Sequence, residues 1–362
     1  MEVGQTLFYF IALGIVLFAV FYGDVIQKWY GDSAAQSDHE LIRTYLLNDS
    51  PLYSGSKPKL WVHTKYEINA RSWKSFQSRN STDLNQPYIH STVQSIVNMC
   101  GDDFHVCLID DESFSKLVPD WNVDLRTMAD PIRSHIRQIG LCKLVYHYGG
   151  VVVPDSFVCM RSLMPLYKRA TSSSCEGGSK PFVAERLNRT RNVVREQKGL
   201  KPFIADAYFI GAKKADPVIL EYIEHMKDKN RAKHFSSEHD FEGSNSWWLE
   251  DAVHQGRIAL LDGEIVGVKD QKGEPILLEQ LLGEEFIDVS PGIFGVYIPS
   301  DEILKRTAYQ WFAVMPREQI FESRVIVAKY LAASLVKAGA QKKMEPKKVP
   351  KALDSVDRIV II

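Results

Sequence analysis

The sequence lacks the short motifs that mark many well-characterised catalytic sites. It contains no G-x-x-x-x-G-K-[ST] phosphate loop, no G-x-S-x-G nucleophile turn and no H-E-x-x-H zinc motif. Its ten histidines form no group with metal-ligand spacing, and no segment repeats another. These absences argue against P-loop nucleotidases, hydrolases with a nucleophile elbow, zinc proteases and repeat proteins.

The sequence also lacks an excess of charge of either sign and any paired-cysteine motif. Its 44 basic and 45 acidic residues give a net charge of −1, so a nucleic-acid partner is not expected. The five cysteines include no C-x-x-C pair and no zinc spacing. Cys107, Cys142 and Cys159 lie in apolar runs and are expected to be reduced core residues. Cys100 and Cys175 have polar sequence neighbours, and no feature of the sequence pairs them.

One long hydrophobic run is present, near the N-terminus. Residues 7–22 are uncharged and almost wholly apolar, and with their flanks they approach the roughly 20 residues that cross a bilayer. The acidic Glu2, the lack of a basic leading region and the lack of a cleavage site before Asp24 argue against a cleaved signal peptide. We therefore predict one transmembrane helix, with residues 1–31 as a retained single-pass anchor in a lipid bilayer.

Composition divides the remainder of the chain into three parts. Residues 32–58 are polar and predict a tether, and residues 59–336 mix short apolar strands with amphipathic helices, as one α/β domain does. Residues 337–362 form a lysine-rich tail that either lies on anionic lipid or is a solvated end.

The most informative stretch of that domain begins at residue 132. Apolar residues recur at i, i+3 and i+4 spacings over 132–148 and predict a helix, which Gly149 and Gly150 end because glycine accepts positive φ without strain. Three valines at 151–153 predict a strand that is buried on both faces. A polar turn centred on Asp155 follows, at the edge where parallel α/β sheets bind ligands.

This order of helix, Tyr-Gly-Gly, strand and acidic turn resembles the core of the glycosyltransferases of family 32, the Och1-like and capsular-polysaccharide type. The resemblance implies a GT-A-type domain with a mixed, mostly parallel sheet. It also implies transfer of a hexose from a nucleotide-sugar to a glycan or protein acceptor. On this basis we expect Gln138, Gly149 and Gly150 to contribute to substrate binding.

A longer stretch, from about residue 60 to 330, is similar to a family of uncharacterised membrane proteins of large DNA viruses of algae and protists. The similarity lies in LWVHTKYEINARSW, SRNSTDLNQPYIH, FHVCLIDDESF, RQIGLCKLVYHYGG and FIGAKKADP. It implies a protein of a host endomembrane or of the virion membrane, with other virion proteins as possible partners.

The chain departs from the family 32 pattern at its metal site. The family's two metal-binding aspartates fall on Pro154 and Ser156, and the acidic residue between them is Asp155. Upstream, the family's donor-facing Asp and Arg fall on Gln138 and Leu141. Asp155 is therefore the motif position left to ligate Mn²⁺ or Mg²⁺. A transferase and a non-catalytic structural protein of the same fold both remain open.

Further candidates come from residue type and position. Asp206 is the one carboxylate in the apolar run 203–212, and it is a candidate catalytic base, together with Asp155, or a structural partner of Arg186. Arg186 itself could neutralise a diphosphate. His63 and Thr64 follow the first predicted strand, where they either contact a nucleotide base or complete the local structure.

Two more groups have alternative interpretations. Trp247 and Trp248 lie in a predicted helix and either stack on a sugar ring or pack in the core. The acidic run 110–112 follows a predicted strand and either binds a cation or caps the next helix.

Overall fold

The structure is a computed structural model of the chain, and it describes residues 57–64, 86–171, 179–188, 202–231, 238–336 and 360–361. The predicted anchor at 1–31, nearly all of the tether and most of the basic tail lie outside the described residues. Within the described ranges, no helix has both the length and the apolar character needed to cross a bilayer.

Strands and helices are interspersed along the described chain, which confirms the predicted α/β class. The strands are β1 (Lys59–His63), β2 (His105–Ile109), β3 (Gly150–Pro154), β4 (Phe157–Cys159), β5 (Phe182–Leu187), β6 (Phe203–Ala212), β7 (Ala259–Leu261), β8 (Gly295–Tyr297) and β9 (Val360–Ile361). The helices are α1 (Tyr88–Cys100), α2 (Ser113–Leu117), α3 (Ile132–Tyr148), α4 (Met164–Thr171), α5 (Pro217–Arg231), α6 (Glu238–His254), α7 (Leu278–Leu281), α8 (Ser300–Lys305), α9 (Gln310–Ala313), α10 (Arg317–Glu322) and α11 (Ile326–Val336).

The main sheet has the strand order β7-β5-β6-β3-β1-β2-β9. Strands β7, β5, β3, β1 and β2 share one direction, and β6 and β9 run opposite to their neighbours. The predicted mixed, mostly parallel sheet is therefore confirmed. Because β3 is central, the turn that carries Asp155 lies in the middle of the carboxyl edge of the parallel strands.

Apolar layers cover both faces of this sheet. Leu60 and Val62 of β1 belong to the core shared with α1 and α4, while Trp61 faces the other side and packs on Tyr148 of α3, with ring centroids 5.8 Å apart. Helix α5 packs on α3 and on α6, and both α3 and α6 pack against β6, so these helices cover the second face. Coverage on both sides explains the uninterrupted apolar runs of the central strands.

The connection between α3 and β3 confirms the predicted glycine turn. Gly149 has φ of 71° and Gly150 has φ of 101°. A Cβ on Gly150 would lie 2.1 Å from the carbonyl oxygen of Lys59, so glycine alone lets β3 begin this close to β1. The indole N–H of Trp61 donates to the carbonyl of Gly149 at 3.0 Å and fixes the turn further.

The short apolar runs between residues 257 and 298 do not all form strands. Within that range β7 and β8 are strands, whereas the apolar run 275–282 contains α7. Leu278 and Leu281 enter a second core that the C-terminal helices share with α1. A short apolar run can bury itself as one turn of helix as well as in a strand, so periodicity does not decide between them.

The remaining features of the fold are the strand at Val360–Ile361 and the burial of Cys100. Val360 and Ile361 of β9 pair antiparallel with β2. Cys100, which was expected in polar surroundings, is instead fully buried, because the last turn of α1 faces the sheet.

Candidate active site at the carboxyl edge

Polar side chains from neighbouring strands converge on the carboxyl edge. His63 ends β1, Asp111 follows β2 and Asp155 follows β3, and register pairs the end of β1 with the ends of both β2 and β3. Arg186 lies near the end of β5, and the antiparallel β6 brings Asp206 to the same edge. The sheet therefore gathers residues that are far apart in sequence.

The first group is the β1–β2 cluster, made of His63, Asp111 and Arg137. The Nε of Arg137, which projects from α3, donates to one oxygen of Asp111 at 2.7 Å, and a terminal guanidinium nitrogen donates to the other oxygen at 2.5 Å. His63 Nε2 donates to the same carboxylate at 2.9 Å. The side chains of His63 and Arg137 are only 9% and 10% exposed, and that of Asp111 is 23% exposed, so this network is largely buried.

Electrostatics keep Asp111 ionised within this network. Burial by itself would raise the pKa of the Asp111 carboxyl, but hydrogen bonds from Arg137 and His63 and their charge outweigh it and hold that pKa well below its usual range. The charge of Arg137 is in turn neutralised by Asp111. The neighbouring Asp110 accepts from the backbone N–H groups of Glu112 and Ser113, so it shapes the turn into α2, as predicted.

Aromatic rings fill the space behind the β1–β2 cluster. The imidazole of His63 stacks on Phe114, with ring centroids 5.6 Å apart, and Phe114 packs on Trp121 at 5.1 Å. A Cβ on Gly140 of α3 would lie 2.8 Å from Phe114, which shows how tightly the helix approaches. Side chains of the protein itself therefore occupy this end of the edge.

The second group is the β5–β6 cluster, made of Arg186, Asp206 and Tyr208. A guanidinium nitrogen of Arg186 donates to one oxygen of Asp206 at 2.8 Å, and the backbone N–H of Tyr208 donates to the other oxygen at 3.0 Å. This is the structural pairing that the sequence offered as the alternative to a catalytic base. Arg186 also lines a small cavity of about 20 Å³ with Tyr297 and Glu302, which is room for about one water molecule.

The charge of Asp206 acts on titratable groups of the helices α3 and α5. Burial, with the nearby charge of Asp206, raises the pKa of the Cys142 thiol on α3, and the pKa of the Tyr222 hydroxyl on α5 is raised by burial, Cys142 and Asp206. The side-chain amide of Gln138 approaches the Tyr222 hydroxyl at 3.5 Å. Gln138 therefore lies beside Tyr222, whose pKa also responds to the charge of Asp206.

The two tryptophans of α6 have different surroundings. Trp248 stacks on Tyr222, with ring centroids 5.1 Å apart, and the guanidinium of Arg257 lies 5.4 Å from its ring centroid. Trp247 is 76% exposed. Trp248 therefore packs within the protein, and Trp247 offers an aromatic surface to solvent.

Asn245 is a buried amide that the sequence analysis did not single out. It is 2% exposed, and neither its amide nitrogen nor its oxygen has a hydrogen-bond partner among the described residues. Helix α6 leads into β7, which is parallel to β5, so α6 descends from the carboxyl edge. Asn245 lies nine residues before the end of α6, about 13 Å, which matches the height of the short parallel strands. The sequence signal for the burial of Asn245 was its helical register, because it lies on the same helical face as the buried Leu249 and Ala252.

Asp155 is half-buried in the turn between β3 and β4. Its carbonyl accepts a hydrogen bond from the hydroxyl of Thr92 on α1. The pKa of the Tyr88 hydroxyl is raised first by the burial of Tyr88 and second by the charge of Asp155. In the part of the chain that the structure describes, no group of three or more His, Cys, Asp or Glu side chains lies close enough to hold a metal ion. The described residues around Asp155 therefore do not fit a resident Mn²⁺ or Mg²⁺ ion.

Gly149, Gly150 and Thr64 are predicted substrate-binding residues that are not members of the two polar clusters. Gly149 and Gly150 lie at the amino end of β3, about 13 Å from its carboxyl end, where they serve close packing and do not reach the polar clusters. Thr64 donates its backbone N–H to Ile109 at 2.9 Å, and its buried hydroxyl has no partner in the described ranges. Thr64 therefore lies beside the β1–β2 cluster, and its contact with a nucleotide base stays a prediction.

Comparison with known proteins gives weak likenesses. No protein-family model and no curated protein matches the chain. Similar solved structures include the galactosyltransferase LgtC in complex with donor and acceptor sugar analogs, at 8% identity and a TM-score of 0.36 over 82% of this chain and 99% of that one. Another is the PaToxG glycosyltransferase, at 12% identity and a TM-score of 0.28 over 64% of this chain and 80% of that one. Likenesses of this degree do not decide the fold or the function.

Proposed function

We propose that this chain is a glycosyltransferase-like protein whose carboxyl edge binds a nucleotide-sugar for transfer of the hexose to a glycan or protein acceptor. The observation that carries the proposal is the convergence of Asp155, Arg186 and Asp206 on the middle of that edge. A mostly parallel sheet whose strands end at such groups is the arrangement in which α/β proteins bind nucleotides.

Arg186 is the residue we assign to the diphosphate. Negative charge grows on the leaving diphosphate during sugar transfer and has to be neutralised in the transition state. Arg137 holds both oxygens of its carboxylate, whereas Arg186 holds one oxygen of Asp206 and borders the cavity. A phosphate oxygen that enters this cavity would therefore lie beside the guanidinium of Arg186.

Asn245, Trp247 and Asp206 are assigned to the sugar and the acceptor. A sugar hydroxyl would satisfy the buried amide of Asn245, which otherwise costs free energy. The exposed ring of Trp247 offers an apolar face on which a sugar can stack. Asp206, once Arg186 engages phosphate, is the carboxylate placed to accept a proton from an acceptor hydroxyl.

A second candidate function is a non-catalytic one, with the same fold retained as a structural component of a membrane or virion. The internal pairing of Arg137 with Asp111 and of Arg186 with Asp206 favours it, because each cation is already neutralised. Pro154 and Ser156 at the metal-binding positions of the family pattern favour it as well.

Isothermal calorimetry of the purified full chain separates these functions. UDP-glucose, UDP-galactose and GDP-mannose would be titrated with and without Mn²⁺. We expect binding without Mn²⁺, and a loss of affinity of about tenfold or more in Arg186→Gln, since one charged hydrogen bond contributes about 1.5–3 kcal/mol. The matched control is Arg231→Gln, because that arginine is 72% exposed and pairs with Asp228 on the surface.

The outcomes of this titration distinguish the nucleotide-sugar site from the structural role. Binding that Arg186→Gln weakens and Arg231→Gln preserves supports the nucleotide-sugar site. Absence of heat with all three donors, in the presence and absence of Mn²⁺, retires the transferase and favours the structural role. Binding that strictly requires Mn²⁺ contradicts the assignment of the diphosphate to Arg186.

We also propose that residues 1–31 hold the protein in a host endomembrane or virion membrane as a single-pass anchor. The uncharged apolar run at 7–22 supports this proposal. The test is flotation of the full chain with phospholipid vesicles, compared with a double variant carrying Leu13→Arg and Leu17→Arg. Equal flotation of both proteins would contradict the anchor, because two charges at the centre of the span are costly.

A further inference from the structure

Two thiols that no functional assignment uses are in contact in the core. Cys100 ends α1 and Cys159 ends β4, and both are fully buried. Their Sγ atoms lie 3.7 Å apart although the two residues are 59 positions apart in sequence. Both are free thiols in this structure.

The elements that carry these cysteines are held together independently of the thiols. Helix α1 packs directly on β4. The backbone N–H of Cys159 donates to the hydroxyl of Ser95 at 2.8 Å, one and a half turns before Cys100 on the same helix. A disulfide has an S–S distance of about 2.0 Å, so the two sulfurs need to approach by about 1.7 Å.

We infer that Cys100 and Cys159 are a site of disulfide formation, with a small-molecule disulfide such as oxidised glutathione as the oxidant. One cysteine thiolate attacks oxidised glutathione and releases one reduced glutathione. The second cysteine then displaces the other glutathione from the mixed disulfide. Two S–H bonds of the protein are replaced by one S–S bond, and two glutathione thiols carry away the two electrons and two protons.

The disulfide would constrain the turn that carries Asp155. That turn leads directly into β4, and Thr92 of α1 donates a hydrogen bond to the carbonyl of Asp155. A disulfide between the end of α1 and the end of β4 therefore restricts the movement of the Asp155 turn, which lies at the centre of the carboxyl edge. In an oxidising compartment the turn is cross-linked, and in a reducing one it is held by the hydrogen bonds alone.

The burial of the pair decides how the bond is tested. Burial, and next the hydrogen bond and electrostatic interaction with Cys100, raise the pKa of the Cys159 thiol well above its usual range, so its thiolate is scarce in the folded protein. The experiment is therefore refolding of the reduced full chain in a buffer of reduced and oxidised glutathione. The products are then digested without reduction and analysed by mass spectrometry.

We expect a peptide pair joined through Cys100 and Cys159. We also expect a melting temperature about 5 °C or more above that of the reduced protein, and slower amide exchange over residues 154–160. The control variant Cys142→Ala removes a buried cysteine outside the pair and should retain the link, and Cys100→Ala and Cys159→Ala should each abolish it.

Two results would overturn the inference. One is a link from either cysteine to Cys107, Cys142 or Cys175 in place of the expected one. The other is full alkylation of both Cys100 and Cys159 when the refolded chain is unfolded in the presence of iodoacetamide. The wild-type map decides the question even where a cysteine variant does not fold.

Discussion

The β1–β2 cluster and the β5–β6 cluster hold a buried carboxylate in different ways. Arg137 binds both oxygens of Asp111, and His63 adds a third hydrogen bond. Asp206 receives one bond from Arg186 and one from the backbone of Tyr208. Two side chains therefore bind the carboxylate of Asp111, whereas one side chain and one backbone N–H group bind the carboxylate of Asp206.

This difference indicates a division of roles along one edge of the sheet. The β1–β2 cluster is backed by Phe114 and Trp121 and has its charges matched, so it stabilises the ends of β1 and β2. The β5–β6 cluster borders a cavity, so it suits contact with a ligand. Three substitutions and a change of pH test this division of roles.

Arg137→Met should cause the largest loss of stability. It leaves the carboxylate of Asp111 largely buried without its main partner, and breaking such a pair costs about 3 kcal/mol. Urea unfolding of the full chain measures this difference. Arg231→Met, at an exposed pair, should change the free energy of unfolding by about 0.5 kcal/mol or less. Equal losses in the two variants would contradict a structural role for the β1–β2 cluster.

Arg186→Gln should act on ligand affinity more than on stability. The dissociation constant for a nucleotide-sugar should rise by about 10- to 100-fold, while the free energy of unfolding should fall by less than in Arg137→Met. Calorimetry and urea unfolding of the same preparation give both numbers. If stability falls as far as in Arg137→Met and affinity does not change, the two clusters have the same role.

Acid should weaken the β1–β2 cluster. The pKa of Asp111 is lower in the folded protein than in the unfolded chain, so its stabilising contribution is present above the unfolded value of about 4 and is lost as the pH falls below it. The difference in unfolding free energy between the wild type and Asp111→Asn should therefore shrink between pH 6 and pH 3. A difference that stays constant over this range would show that the charge of Asp111 does not stabilise the fold.

Trp247→Ala should have the smallest effect on stability, at about 0.5 kcal/mol or less, because its ring is exposed. The neighbouring Trp248→Ala is the matched comparison and should cost about 3 kcal/mol, because that ring packs on Tyr222. Calorimetry then shows whether Trp247→Ala weakens nucleotide-sugar binding. A large loss of stability in Trp247→Ala would mean that this side chain belongs to the core.

Local pattern predicted much of the central fold. The helix that ends at Gly149, the valine strand β3 and the position of Asp155 follow from periodicity, from the conformational freedom of glycine and from β-branched side chains. The same kind of pattern did not predict α7, because a four-residue helix has too few residues to show a period. Nor did it show that Trp247 and Trp248, adjacent in sequence, lie in solvent and in the packed layer respectively.

The candidate site was predictable in part. Asp155, Arg186, Asp206, Gln138 and Thr64 were named from the sequence, and the structure places them at or near one edge. Arg137 and Asn245 were missed. The sequence around Arg137 does not show whether its side chain points inward or outward, and the signal for the burial of Asn245 was its helical register with Leu249 and Ala252.

The sequence by itself determined where the elements begin and end around the double glycine, and which residue would stand at the end of the central strand, because those outcomes depend on backbone conformation and on near neighbours. The tertiary structure alone decided that Asp111 would meet Arg137, 26 residues away, and that Cys100 would meet Cys159. Such contacts arise when strands adopt an order and a register and helices cover them. Strand order is a property of the whole sheet that no short segment encodes.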